Sequence, residues 1–187
     1  INSFANELIN NNVDVTVITG LPNYRQYGFY KNYSLLGPYY ENINNINIIR
    51  LPIVPRFSNS VIAISLFYIS FFLTSFFFIL LFGLLKRNKI DHLFTFCGSP
   101  VFVGYIGFIG GKILNCKSSQ WIQDIRPEAI KSTVGTKFNF FEKIIDFFQI
   151  HMWSISDILF SQSDSLSKYL KSKFPNSKIV TLYNPAR

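Results

Sequence analysis

The chain has 187 residues, 49% of them hydrophobic, and a net charge of +8 although only 15% are charged. That length supports one α/β domain with a substantial core, and the positive excess favours anionic partners such as phospholipid head groups or diphosphates. Two cysteines, Cys97 and Cys116, lack metal-type spacing and suit a reducing compartment; the sequence also has no zinc-finger spacing, RNP-type aromatic motif or long basic run, which disfavours nucleic acid.

Taken in order, INSFANELINNN places Phe4 and Leu8 four apart, as on one helix face. A helix entered midway implies further residues upstream. VDVTVIT (13–19) reads as a buried strand, stopped by Gly20, Pro22 and Asn23. The long stretch 21–45 carries six of the ten tyrosines and has two readings. It is either an irregular hairpin packed by its own aromatics or a substrate-facing loop. INIIRLPIV (46–54) is a second strand, limited by Pro52 and Pro55.

No charged or histidine residue occurs between Arg56 and Lys86. Residues 61–85 there contain eighteen Val, Ile, Leu or Phe. As a helix the segment would be about 37 Å long, more than a bilayer's hydrocarbon core. Insertion would be favourable by about 5 to 10 kcal/mol. Ser65, Ser70, Thr74 and Ser75 are scattered around the wheel, so no polar face forms. The basic run KRNK (86–89) follows directly, as an anchor beside anionic head groups would.

HLFTFC (92–97) is a third strand, SQWIQDI (119–125) a fourth, DILFSQS (157–163) a fifth and KIVTLYN (178–184) a sixth. Helices are expected over 61–87, 101–115, about 137–153 and 164–173. This alternation predicts a Rossmann-like open parallel sheet with helices on both faces. The ligand crevice of such a sheet lies beyond the carboxyl ends of its strands, where Asp124 stands. If strands 46–54 and 92–97 are neighbours in one sheet, the helix between them must pack back onto it. A segment with one side on the sheet and the other dipped into lipid, a monotopic attachment, meets that requirement. A single span and a buried core helix are the alternatives.

VTVITGLPNY, NINIIRLPIVPR, WIQDIRPE, SDILFSQSDSLSKYL and LYNP, in this order and spacing, resemble the N-terminal domain of a family 4 retaining glycosyltransferase. The nearest type is the bacterial group that transfers amino sugars, such as N-acetyl-fucosamine, in O-antigen or capsule assembly. The resemblance covers essentially the whole chain. It implies one half of a GT-B enzyme, with residues 1–183 as the acceptor-binding domain and 184–187 opening the interdomain linker. A nucleotide-sugar domain would follow, so this half alone is not expected to turn over. The implied acceptor is an undecaprenyl-diphosphate-linked saccharide and the implied donor a nucleotide sugar. No metal or other cofactor is implied, because such enzymes stabilise the leaving diphosphate with protein groups.

On that resemblance Asp124 orients the acceptor hydroxyl or contacts the donor sugar. Many family members carry His-Asp here; Gln123-Asp124 cannot supply an imidazole for proton transfer, but Gln123 can still hydrogen-bond a sugar. The competing reading makes Asp124 a steadying group before Pro127 and Glu128, which suit a first helical turn. Arg126 and Glu128 complete the expected substrate-binding group on this segment, Arg126 toward a phosphate and Glu128 chiefly as a helix-start charge. Ser161, Gln162 and Ser163 open a helix whose free amides suit a phosphate, or Ser163 simply caps it. Lys86, Arg87 and Lys89 are expected to meet the acceptor diphosphate or the lipid surface. GYIGFIGGK (104–112) lies within a helical stretch, so close helix packing explains its glycines better than phosphate binding. His92 and His151 have no metal-ligand partner at useful spacing and read as structural.

The expectation is therefore a membrane-associated sugar transferase half at the cytoplasmic face of a bacterial membrane. Its rival is a non-enzymatic, membrane-anchored α/β module or a degenerate transferase fragment.

Overall fold

A computed structural model describes residues 2–22, 28–37, 39–86, 88–98, 102–123 and 139–184. Contacts divide the chain into two compact units, Ile1–Phe78 and Ile79–Asn184, with the boundary inside one long helix.

The first unit holds helix α1 (Asn2–Asn10), strands β1 (Thr16–Gly20), β2 (Tyr39–Ile43) and β3 (Ile46–Leu51), and the first part of helix α2 (Val61–Lys86). β3 is central: it pairs in parallel with β1, from Thr16 opposite Asn47 to Gly20 opposite Leu51, and antiparallel with β2. β2 lies inside the tyrosine-rich stretch, which the sequence reading left as an excursion. It forms because Asn44 and Asn45 both adopt left-handed backbone, with φ of 52° and 63°. Two such residues make the tight turn whose twist matches a hairpin. Tyr33 then donates to the Glu41 carboxylate at 2.7 Å, and Arg50 Nε does so at 2.8 Å. The Arg50 hydrogen bond holds the Glu41 carboxyl below its ordinary range. Tyr33 also meets Tyr39 edge-to-face, with centroids 5.3 Å apart. The hairpin reading therefore describes this part of the stretch, and residues 23–27 lie outside the described residues.

Both edges of β3 are occupied, so the strands at 46–51 and 92–97 are not neighbours in one sheet as the sequence reading supposed. Hydrogen bonding resolves two sheets, a mixed one of order β1-β3-β2 and a parallel one of four strands.

The second unit starts with the end of α2 and continues through β4 (His92–Cys97), α3 (Val103–Leu114), β5 (Lys117–Ile122), α4 (Asn139–Ser154), β6 (Ile158–Ser161), α5 (Asp164–Lys173) and β7 (Lys178–Thr181). Its sheet has the order β4-β5-β6-β7 and every pair is parallel. The fold is thus α/β, with a Rossmann-like parallel sheet flanked by helices. One face of the sheet is covered by α3, α4 and α5. Ile122 and Leu159 from the strands, Met152 and Trp153 from α4, and Leu166 and Leu170 from α5 form the core there. The other face carries an aromatic layer in which Trp121, 1% exposed, sits between Phe94 and Phe96 at centroid distances of 6.0 and 5.6 Å.

The glycines of GYIGFIGGK serve packing. A Cβ at Gly107 would collide with Thr95 Oγ1, and one at Gly104 with Met152 Sδ. At Gly110 it would approach Leu93 Cδ2 to 2.7 Å, and at Gly111 Ser118 Cβ to 2.9 Å. All four lie along the side of α3 turned to β4 and β5, so the helix backbone rests directly on the sheet. Gly107→Ala should destabilise the protein by about 1–3 kcal/mol through overpacking, read as a lowered urea midpoint with an unchanged slope.

Candidate functional site

The four parallel strands end at one level. Cys97 is paired with Ile122, Ile122 with Ser161 and Ser161 with Thr181. The next residues of β5 and β6 are Gln123 and Gln162, and Asn184 stands three beyond the end of β7. Register alone therefore gathers three carboxamides at the carboxyl ends, where a parallel sheet opens its ligand crevice.

Their hydrogen bonds interlock. Gln123 is anchored through its main-chain amide to Cys97 O at 3.1 Å, and its carbonyl accepts from Gln162 Nε2. Asn184 Nδ2 donates to both neighbours, to Gln123 Oε1 at 3.0 Å and to Gln162 Oε1 at 2.8 Å. Gln123 is 9% exposed, yet among the described residues its buried Nε2 has no hydrogen-bond partner. A buried amide donor left unpaired costs about 1–3 kcal/mol, which makes it the atom in this cluster with unspent binding capacity.

Beside the carboxamides lies a hydroxyl relay. Ser161 Oγ meets Ser167 Oγ at 2.6 Å, and Ser167 meets Thr181 Oγ1 at 2.8 Å. Thr181 donates to Asp164 Oδ1 at 3.2 Å, and Tyr183 donates to Asp164 Oδ2 at 2.8 Å. That bond to Asp164 raises the phenol pKa of Tyr183. Ser163 caps α5, accepting from the Leu166 amide at 3.3 Å. Of the two readings left open for Ser163, the capping one is what the geometry shows. Asp164 adds a carboxylate to the first turn of α5, which complements the helix dipole in place of a bound anion.

Among the residues expected at the site, Gln123, Ser161, Gln162 and Ser163 are brought together at the carboxyl ends. Asp124, Arg126, Glu128 and Arg87 lie outside the described residues, and Lys86 is described only as the end of α2. Lys89 is exposed and precedes β4, so it stands at the amino ends of the sheet. A six-residue strand spans about 20 Å, which separates Lys89 from the carboxamides. Sequence reasoning missed Asn184 as a site residue, along with Asp164, Thr181 and Tyr183. Their common signal was position, at the end of the last strand or the start of the helix facing it.

A second concavity, about 290 Å³, opens at the amino ends, lined by Gly111, Lys112, Asn115, Cys116, Lys117 and Asp157. Its carboxylate is already engaged: Asp157 Oδ2 accepts from the Ser118 amide at 2.8 Å and from Ser118 Oγ at 3.1 Å. Among the described residues no group of three or more His, Cys, Asp or Glu is arranged to hold a metal ion. Burial pushes the Cys97 thiol up to about 12, so it stays protonated and inert. His151 accepts a structural place beside Tyr105, its Nδ1 at 3.0 Å from the hydroxyl.

His92 packs at the amino ends with Nε2 2.7 Å from Ser119 Oγ. Burial lowers its pKa; Asp157 opposes that shift and Lys117 adds to it. A depressed histidine binds its proton more readily in the unfolded chain. Its contribution to stability is therefore complete above the ordinary pKa of 6.5 and declines as pH falls from there through the folded-state value. Melting temperature should drop between neutral and mildly acidic pH, and His92→Gln should remove part of that drop in a calorimetric scan.

Compared with protein-family models and with curated proteins, this chain matches none of them.

Proposed function

We propose that the chain is the acceptor-binding half of a membrane-associated retaining sugar transferase. In this reading it acts on a lipid-diphosphate-linked saccharide, with a nucleotide sugar as donor held by a further domain. The observation that carries the reading is the surface of α2. Its stretch Ile62–Leu85 has a mean hydropathy of 2.3, is long and apolar enough to cross a membrane, and is only 11% buried.

The exposure is organised. Ile62, Leu66, Ile69, Leu73, Phe77, Leu80 and Leu84 recur at three- and four-residue spacing and are all exposed, Leu84 by 77%. Ser75 and Ile79 face away from that stripe and are buried, Ala63 and Gly83 are buried on its two flanks, and Leu81 and Leu85 are exposed beside it. Helical spacing thus divides an apolar segment into a protein side and a side that water would not tolerate. Two of the polar residues within it are accommodated locally: Ser70 donates to Phe67 O at 2.9 Å and accepts from the Val54 amide, while Thr74 donates to Ser70 O; the Ser75 hydroxyl is buried without a hydrogen-bond partner among the described residues. One-sided burial favours a helix lying against lipid over one enclosed in a core.

A substrate with a polyprenyl tail keeps its diphosphate at the membrane interface, and an enzyme for it must hold its crevice at that plane. The α2 surface supplies the attachment, and Lys86, Arg87 and Lys89 fit the anionic head groups at the helix end. The carboxamide cluster supplies polar, uncharged groups at the carboxyl ends of a parallel sheet. The motif resemblance supplies the reaction class, in which Asp124 beside Gln123 orients the reacting sugar.

The Leu73→Glu/Phe77→Glu protein should leave anionic phosphatidylglycerol vesicles for the supernatant on sedimentation, with its circular dichroism unchanged because both positions are exposed. Retention on the vesicles would remove the attachment. In the full-length protein, with a lipid-diphosphate saccharide and a panel of nucleotide sugars, radiolabel should pass to the lipid fraction. Asp124→Asn should cut that transfer by about 100-fold or more. No transfer from any donor would favour a non-enzymatic membrane-anchored module.

A further inference from the structure

The orphaned amide of Gln123 has a defined direction. Its Oε1 accepts from Asn184 Nδ2, and that same nitrogen donates to Gln162 Oε1. Turning the Gln123 carboxamide over would set its nitrogen against the Asn184 nitrogen, two donors face to face. Asn184 therefore locks Gln123 so that Nε2 is the group left without a partner. Gln162 tightens the lock by donating to Gln123 O. A buried amide with fixed orientation and no acceptor is uncommon in a folded protein and calls for a partner.

Charge decides what that partner is. The three residues bonded into the cluster are neutral, and no cation is hydrogen-bonded to them among the described residues. The nearest charged group of the adjoining relay is the carboxylate of Asp164, whose oxygens take Thr181 and Tyr183. The cap position of α5 is filled by Ser163. Among the described residues an anion placed here would find no counter-charge in the cluster, and the start of α5 that follows Gln162 is already capped. An uncharged oxygen would meet a free N–H donor.

We propose that this cluster is a subsite for an uncharged acceptor oxygen of a saccharide, a hydroxyl or an acetamido carbonyl, and not for a phosphate. Gln123 Nε2 is the donor and Asn184 the positioning residue that fixes its orientation. The proposal rests on the sugar-transferase reading for its ligand class and adds which chemical part of the substrate is held here. It makes Asn184 a determinant of binding although it is exposed and lies beyond the last strand.

The test uses the whole chain, ¹⁵N-labelled in detergent micelles, with the side-chain amide of Gln123 assigned by its loss in Gln123→Met. N-acetylglucosamine should shift that resonance in a saturable way, and inorganic pyrophosphate should not. Asn184→Ala, at an exposed position, should keep the melting temperature and weaken the saccharide response by about tenfold, the worth of one hydrogen bond. Asn184→Asp should let the Gln123 amide turn to donate to the new carboxylate, moving its resonance without ligand and abolishing the saccharide shift. A response to pyrophosphate but not to the saccharide would overturn the proposal. So would silence to both, or unchanged saccharide affinity in Asn184→Ala. The two readings separate cleanly. A saccharide response without transfer from any nucleotide sugar sinks the transferase and leaves the subsite. Transfer that runs at full rate in both Gln123→Met and Asn184→Ala sinks the subsite and leaves the transferase.

Discussion

Parallel registration of four strands is the constraint from which the candidate site follows. Because Cys97, Ile122, Ser161 and Thr181 end at one level, whatever follows each strand is delivered to a common edge. A parallel sheet cannot be closed by short hairpins and must return its chain through helices. Its carboxyl edge is thereby left open to polar residues, and among the described residues these are chiefly amides and hydroxyls, with the Asp164 carboxylate beside them. The hydrogen bonds among Gln123, Gln162 and Asn184 join residues up to 61 positions apart. Side chains of that kind could not hold one geometry on independent loops.

Registration in turn depends on how closely the helices approach. The glycines of α3 bring its backbone onto the side chains of Leu93, Thr95, Ser118 and Gln120, so β4 and β5 pack closely against the helix. Buried polar atoms in this layer are paired locally, as in Gln120 Nε2 donating to Gly104 O at 3.2 Å. Close contact of this type tolerates little change in volume. It also explains why a glycine-rich segment with the look of a phosphate loop belongs inside the fold and away from the strand ends.

Helix α2 differs from the other helices in what it exposes. Its buried positions include the small residues Ala63, Ser75 and Gly83, and its exposed side carries Leu, Ile and Phe. A soluble α/β protein would place charges on that second side. The interval from Arg56 to Lys86 contains no charge, and the helix within it is long and apolar enough to cross a membrane. The proposed attachment and the proposed recognition rest on separate elements, one on composition and the other on strand geometry.

The α/β class was legible in the sequence because apolar runs of strand length alternate with helical ones, and that period survives in any tertiary setting. Strand β4 and helix α5 fall where the pattern placed them, at 92–97 and 164–173, and α2 was visible from the absence of charge alone. Gln123, Ser161, Gln162 and Ser163 could be nominated because they follow strands. The β2 hairpin was not legible, since it turns on two asparagines entering left-handed backbone, a choice that pairing with β3 stabilises. The division into two sheets was equally hidden, because which edge of β3 is occupied is decided by partners distant in sequence. Asn184 was invisible as a site residue for the same reason: its role comes from meeting Gln123, and only the register of β5, β6 and β7 brings the two amides together.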